Sequence, residues 1–143
     1  MVMAGKSPPR RTREETNYEA LADFRYALRE FLAFSEAAAK AAGLSAQQHQ
    51  ALLAIKGTPR NESVSVQRLA ARLLIQHNSA VELVDRLENS GLVRRTRDPR
   101  DGRRAQIALT PKAQRILRSL SAAHLQELKA VRPIFLTLLR QLH

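Results

Sequence analysis

The chain has 143 residues, 44% hydrophobic and 26% charged, enough for one compact core but not comfortably for two. Lys and Arg number 24 against 13 Asp and Glu, a formal charge of +11, which favours a polyanionic partner, with nucleic acid ahead of an anionic membrane surface. The absence of cysteine excludes disulfides, thiolate zinc sites and thiol redox chemistry. No apolar run approaches the roughly 18 to 20 residues that span a bilayer, and MVMAGKSPPRRTREE holds no apolar leader segment, so the expectation is a soluble cytoplasmic protein.

Residues 1–15, with Pro8, Pro9 and mixed charge, read as a flexible basic tail. Thr16-x-x-Glu19 has capping-box spacing and predicts the start of a long helix, with Leu21, Phe24, Leu28 and Phe31 as its apolar stripe and Gly43 as its stop. Ser45-x-x-Gln48 caps a second helix carrying Leu52, Leu53 and Ile55, which GTPRNES ends. Ser63-Val64-Ser65 is long enough for one small strand at most. Ser65 then caps about two turns through Leu73, a tight turn follows at Leu74 to Gln76, and Ala80, Leu83, Val84 and Leu87 mark one face of a further helix that Gly91 closes. Leu92 to Thr96 and Ala105 to Leu109 predict a β-hairpin. Thr110-Pro111 pairs an N-cap with Pro at the first helical position, opening a helix toward Val131 that Arg132-Pro133 is expected to interrupt before a last helix with Phe135, Leu138 and Leu139.

A pair of short helices joined by a turn and followed at once by a hairpin is a winged helix-turn-helix, so the predicted fold is mainly α with one small hairpin. Its lobe spans 45–109, inside a single domain of 16–143 whose flanking helices, 16–43 and 110–143, carry more apolar stripe than one small core needs. Their surplus fits pairing of two copies; closure of a monomeric bundle is the alternative. The hairpin tip coincides with the densest charge in the chain, the run from Arg94 to Arg104 with six Arg and two Asp. Of these, Arg94, Arg95, Arg97, Arg100, Arg103 and Arg104, together with Arg68 and Arg72, are candidates for phosphate and minor-groove contacts; each could instead be a solvated surface charge. Asp98 and Asp101 would repel phosphate and are expected to hold wing backbone and guanidinium groups in place. Gln76, His77, Asn78, Ser79 and Glu82 stand where such a motif reads bases, with helix capping by Asn78 or Ser79 the alternative.

These residues resemble the MarR family of bacterial transcriptional regulators. Asp98-Pro99-Arg100-Asp101-Gly102-Arg103 fits its D-x-R-D-x-R wing signature and Ile107-x-Leu109-Thr110 the segment after it. Gly43-Leu44-Ser45-x-x-Gln48, Leu69-Ala70 and Leu83-Val84-Asp85-Arg86-Leu87-Glu88-x-x-Gly91-Leu92-Val93 are similar to further family segments, over about residues 18–143. The resemblance implies a homodimer on a palindromic operator in double-stranded DNA, often a repressor released by a small aromatic or anionic effector. It also implies a ligand pocket between dimer helices and DNA lobe, drawing on Phe24, Arg25, Phe31, His49 and His124. At the start of the recognition helix, Gln76 to Glu82 departs from the family's usual Ser or Thr followed by Arg, so another member's operator preference does not transfer. An effector-independent architectural or nucleoid DNA-binding protein, and a protein-interaction module, are the rival readings. His49, His77, His124 and His143 show no metal-ligand spacing. No phosphate-binding glycine loop, nucleophile elbow or carboxylate pair suggests an enzyme, and no cofactor is expected.

Overall fold

A computed structural model describes residues 13–97, 102 and 105–141, with side chains from residue 18. The elements are α1 (Arg13–Ala41), α2 (Ala46–Lys56), α3 (Val66–Leu73), α4 (His77–Asn89), β1 (Val93–Arg97), β2 (Ala105–Leu109) and α5 (Pro111–Arg140). This is a winged helix-turn-helix, largely helical with one antiparallel hairpin whose register runs from Val93 opposite Leu109 to Arg97 opposite Ala105.

Local chemistry accounts for most boundaries. At α2 the Gln48 N–H donates to Ser45 Oγ (3.1 Å) and the Ser45 N–H to Gln48 Oε1 (3.0 Å), the reciprocal capping box. The Arg68 N–H donates to Ser65 Oγ at 3.1 Å, starting α3. Thr110 Oγ accepts from the Ala113 N–H (3.2 Å) and donates to the Gly91 carbonyl (2.7 Å), so one hydroxyl caps α5 and ties it to the end of α4. Two helices end in a left-handed glycine: after α1 the Gly43 and Leu44 N–H groups return to the Lys40 and Ala39 carbonyls, and after α4 those of Gly91 and Leu92 return to Glu88 and Leu87. At α3 the same closure is made by Leu74 at φ 56°, where a side chain costs roughly 1–2 kcal/mol relative to ordinary backbone.

Three expectations change. The first helix begins at Arg13, so Thr16 lies within it and does not cap it; Arg13, Glu14 and Glu15 are good helix formers that extend it toward the N-terminus. Ser63–Ser65 forms no strand, yet the Ile107 N–H donates to the Val64 carbonyl at 2.9 Å, a single ladder bond on the hairpin edge. Pro133 does not divide the last helix: α5 runs through it. An interior proline removes about 3 kcal/mol of helix stability. Val131 and Leu138 are both buried on the flanking turns, and each fully buried side chain contributes about 1.5–3 kcal/mol, so continuity wins.

The chain divides into two compact units, residues 34–125 and residues up to 33 with those from 126 onward. The 34–125 unit is built on Leu52, Leu69, Leu83, Val84, Leu87, Val93, Ile107 and Leu117, supplied by α2, α3, α4, both strands and α5. In the other unit Ala20, Ala27, Val131 and Leu138 are buried, and Phe24 meets Phe135 edge to face with ring centroids 5.8 Å apart. No described helix is long and apolar enough to cross a membrane.

Candidate nucleic-acid interface

The inward face of α4 is apolar and fully used: Ala80, Leu83, Val84 and Leu87 are buried. What remains faces solvent. Gln76 occupies the N-cap and its side chain makes no capping bond, while His77, Asn78 and Ser79 follow as the first three helical residues, all exposed. Asn78 and Ser79 therefore do not cap the helix, and their side chains stay available beside its unsatisfied first-turn N–H groups and positive dipole end. Glu82 is exposed one turn further along, and Arg86 a turn beyond that.

The hairpin places its arginines unequally. Alternation along β1 sends Arg95 toward α4, where its guanidinium donates to Asp85 Oδ1 (2.6 Å) and Glu88 Oε1 (2.9 Å) while its backbone N–H donates to Glu88 Oε2 (3.2 Å). The Asp85 hydrogen bond is the largest of the effects that raise the Arg95 pKa above the ordinary guanidinium value. Arg95 is thus engaged within the lobe and bolts the strand to α4. Arg94 and Arg97 are exposed, and neither has an ion-pair partner among the described residues. Arg100, Arg103, Arg104, Asp98 and Asp101 lie outside the described residues; Gly102 sits in an exposed turn.

On α3, Arg68 pairs with Glu62 and is half-buried, whereas Arg72 is exposed. Both line an open cavity of about 400 Å³ with Leu53, Thr58 and Leu73. The five expected pocket residues fall into two sets. Phe24 and Arg25 are exposed and Phe31 half-buried in the unit built from the chain ends. In the 34–125 unit His49 and His124 stand together with ring centroids 4.8 Å apart. Burial first, and the charge of His124 second, hold the His49 imidazole below its ordinary pKa. Among the described residues no group of three or more His, Asp or Glu is placed to hold a metal ion.

What this surface can do is grip a polyanion with fixed spacing. A helix N-terminus bearing amide, imidazole and hydroxyl groups lies on the same lobe as a strand carrying two exposed guanidinium groups. The combination suits base edges in a major groove and flanking phosphates.

Comparison with known proteins agrees with that chemistry. A family model described as the MarR family matches residues 42–104, which covers α2 through β1 and stops short of β2. A multiple antibiotic-resistance repressor from Listeria monocytogenes shares 27% identity over 90% of this chain and 84% of its own, with a TM-score of 0.69. The regulator CouR from Rhodococcus jostii, solved with p-coumaroyl-CoA, shares 29% identity over 69% of this chain and 68% of its own, with a TM-score of 0.61. MepR of S. aureus, solved with an oligodeoxyribonucleotide, is 18% identical over 81% and 82% of the two chains at a TM-score of 0.64, a likeness of fold. No curated protein matches the chain in sequence.

Proposed function

We propose that this chain, whose residues 42–104 match the MarR family, is a transcriptional repressor of that kind that binds a palindromic operator as a homodimer and is released by a small ligand. The observation that carries the DNA reading is the uncapped, exposed polar start of α4 on the lobe that presents Arg94 and Arg97. Entered N-terminus first into a major groove, α4 sets Gln76, His77, Asn78 and Ser79 against base edges, with Asn78 suited to adenine and Glu82 to the cytosine amino group. Arg72, Arg94 and Arg97 take phosphates, and Arg100, Arg103 and Arg104 reach the flanking backbone and minor groove.

Pairing of two copies is supported by the apolar surface of the chain-end unit, where Tyr18, Leu21, Tyr26, Ile134 and Leu139 are exposed. A two-fold axis there spaces the two recognition helices by about one DNA turn, roughly 34 Å. The proposed effector is aromatic or anionic, by analogy with the p-coumaroyl-CoA bound to CouR. It weakens DNA binding only by favouring a lobe spacing that the operator does not fit.

Selection of bound DNA from a random pool tests the operator. A palindrome with half-sites about one turn apart is expected, and Asn78→Ala should relax one position in each half. Recovery of unenriched sequence, as from an architectural protein, would overturn the reading. Calorimetric titration with aromatic carboxylates and an aromatic acyl-CoA tests the effector, and the absence of heat in every case removes it.

A further inference from the structure

We infer that the His49–His124 contact is a proton-operated latch inside the 34–125 unit, holding α2 against α5 while the buried His49 ring is neutral and opening when acid protonates it. His49 is 2% exposed, its ring lies 4.8 Å from that of His124 at a tilt of 55°, and its buried Nδ1 has no hydrogen-bond partner. His124 is differently placed. Its Nδ1 is 2.7 Å from the Leu120 carbonyl oxygen, which can only accept, so that nitrogen carries a hydrogen; its Nε2 is 2.8 Å from Ser35 Oγ. The Ser35 hydroxyl can donate to that nitrogen or accept from it, so both ring nitrogens of His124 have partners whereas Nδ1 of His49 has none.

A proton added to His49 has nowhere to go. It would be a buried charge with no acceptor at Nδ1. Around the pair, α5 contributes the Leu120 carbonyl, and α1 the Ser35 hydroxyl and the Phe34 ring, 5.3 Å from His124. Among the described residues His124 is the charge that acts on His49, and no carboxylate does. Because folding favours neutral His49, its contribution to stability is complete above the ordinary imidazole value of 6.5 and is lost as pH falls below it. Ala51, Leu52 and Ile55 of α2 share the core with Leu69, Leu83 and Leu87, so a loosened α2 undermines the helix pair above it. The consequence for DNA rests on the function proposed above; the latch itself does not.

The experiment uses the full chain, with imidazole NMR, thermal melting and mobility shifts between about pH 7.5 and about pH 5.5. His49 should remain neutral below pH 6.5, the melting temperature should fall with acid, and His49→Phe should abolish most of that fall. DNA affinity should drop about tenfold on acidification in the parent, and less than about twofold in His49→Phe. Titration of His49 at or above 6.5, or parallel melting profiles for parent and variant, overturns the latch. If His49→Phe does not fold, the NMR titration of the unaltered protein still decides. Failure of DNA binding at every pH, with the melting and NMR results as expected, would count against the proposed function alone.

Discussion

Arg94 and Arg95 are neighbours in sequence with opposite employment. Strand alternation gives Arg94 to solvent and Arg95 to the carboxylates of α4, at 2.6 Å from Asp85 and 2.9 Å from Glu88. Both pairs are partly exposed, so their stability contribution is under about 1 kcal/mol each, and what they fix is the angle between strand and recognition helix. Removing each arginine separates contact from positioning. Arg94→Ala should lower the slope of log affinity against log salt by about one, the signature of a lost phosphate contact. Arg95→Ala should weaken operator binding severalfold and leave that slope unchanged. Equal slope changes in both variants, read from mobility shifts at several salt concentrations, would show Arg95 to be a phosphate ligand after all. Leu74 makes a related point: 92% exposed and at φ 56°, it occupies a position that backbone sterics reserve for glycine, and nothing in the structure explains the leucine.

At the scale of elements, caps and breakers act where their geometry is local. Ser45, Ser65 and Thr110 each start a helix through bonds spanning three residues, and Gly43 and Gly91 end helices through bonds of similar reach. Pro133 is the exception because its penalty competes with burial contributed by Val131 and Leu138. The Thr137 hydroxyl donates to the Pro133 carbonyl at 2.9 Å, within the turn that the proline begins. Since the helix is already formed there, Pro133→Ala should stabilise the protein by roughly 2 kcal/mol, the interior penalty less the entropy that proline removes from the unfolded chain. A raised midpoint in thermal or urea melting is the expected result. A lowered one would mean that the ring packs usefully in the cavity of about 420 Å³ lined by Tyr26, Ala27, Ile134 and Leu138.

For the whole molecule, the division into a 34–125 unit and a unit of chain ends separates two tasks. The first contains the polar helix start, the hairpin and the histidine pair. The second leaves Tyr18, Leu21, Tyr26 and Leu139 in water, more apolar surface than solubility favours. If a second copy covers it, Leu139→Glu should shift sedimentation from dimer to monomer with an unchanged fold by circular dichroism. Operator affinity should then fall by about a hundredfold, because two linked half-sites become two independent ones. A variant that still sediments as a dimer would place the subunit contact elsewhere.

The sequence by itself determined the helix-turn-helix followed by a hairpin, the capped starts of α2, α3 and α5, the glycine ends of α1 and α4, and the location of positive charge. Each of these follows from residues a few positions apart, whose hydrogen bonds and apolar spacing are set before any distant segment is present. Tertiary structure decided matters in which distant residues meet. It joined Arg95 to Asp85 and Glu88 and brought His124 of α5 to His49 and Ser35. It kept α5 whole across Pro133 and reduced Ser63–Ser65 to one bond with Ile107. In those cases the outcome depends on burial and pairing supplied from dozens of residues away, which no window along the chain contains.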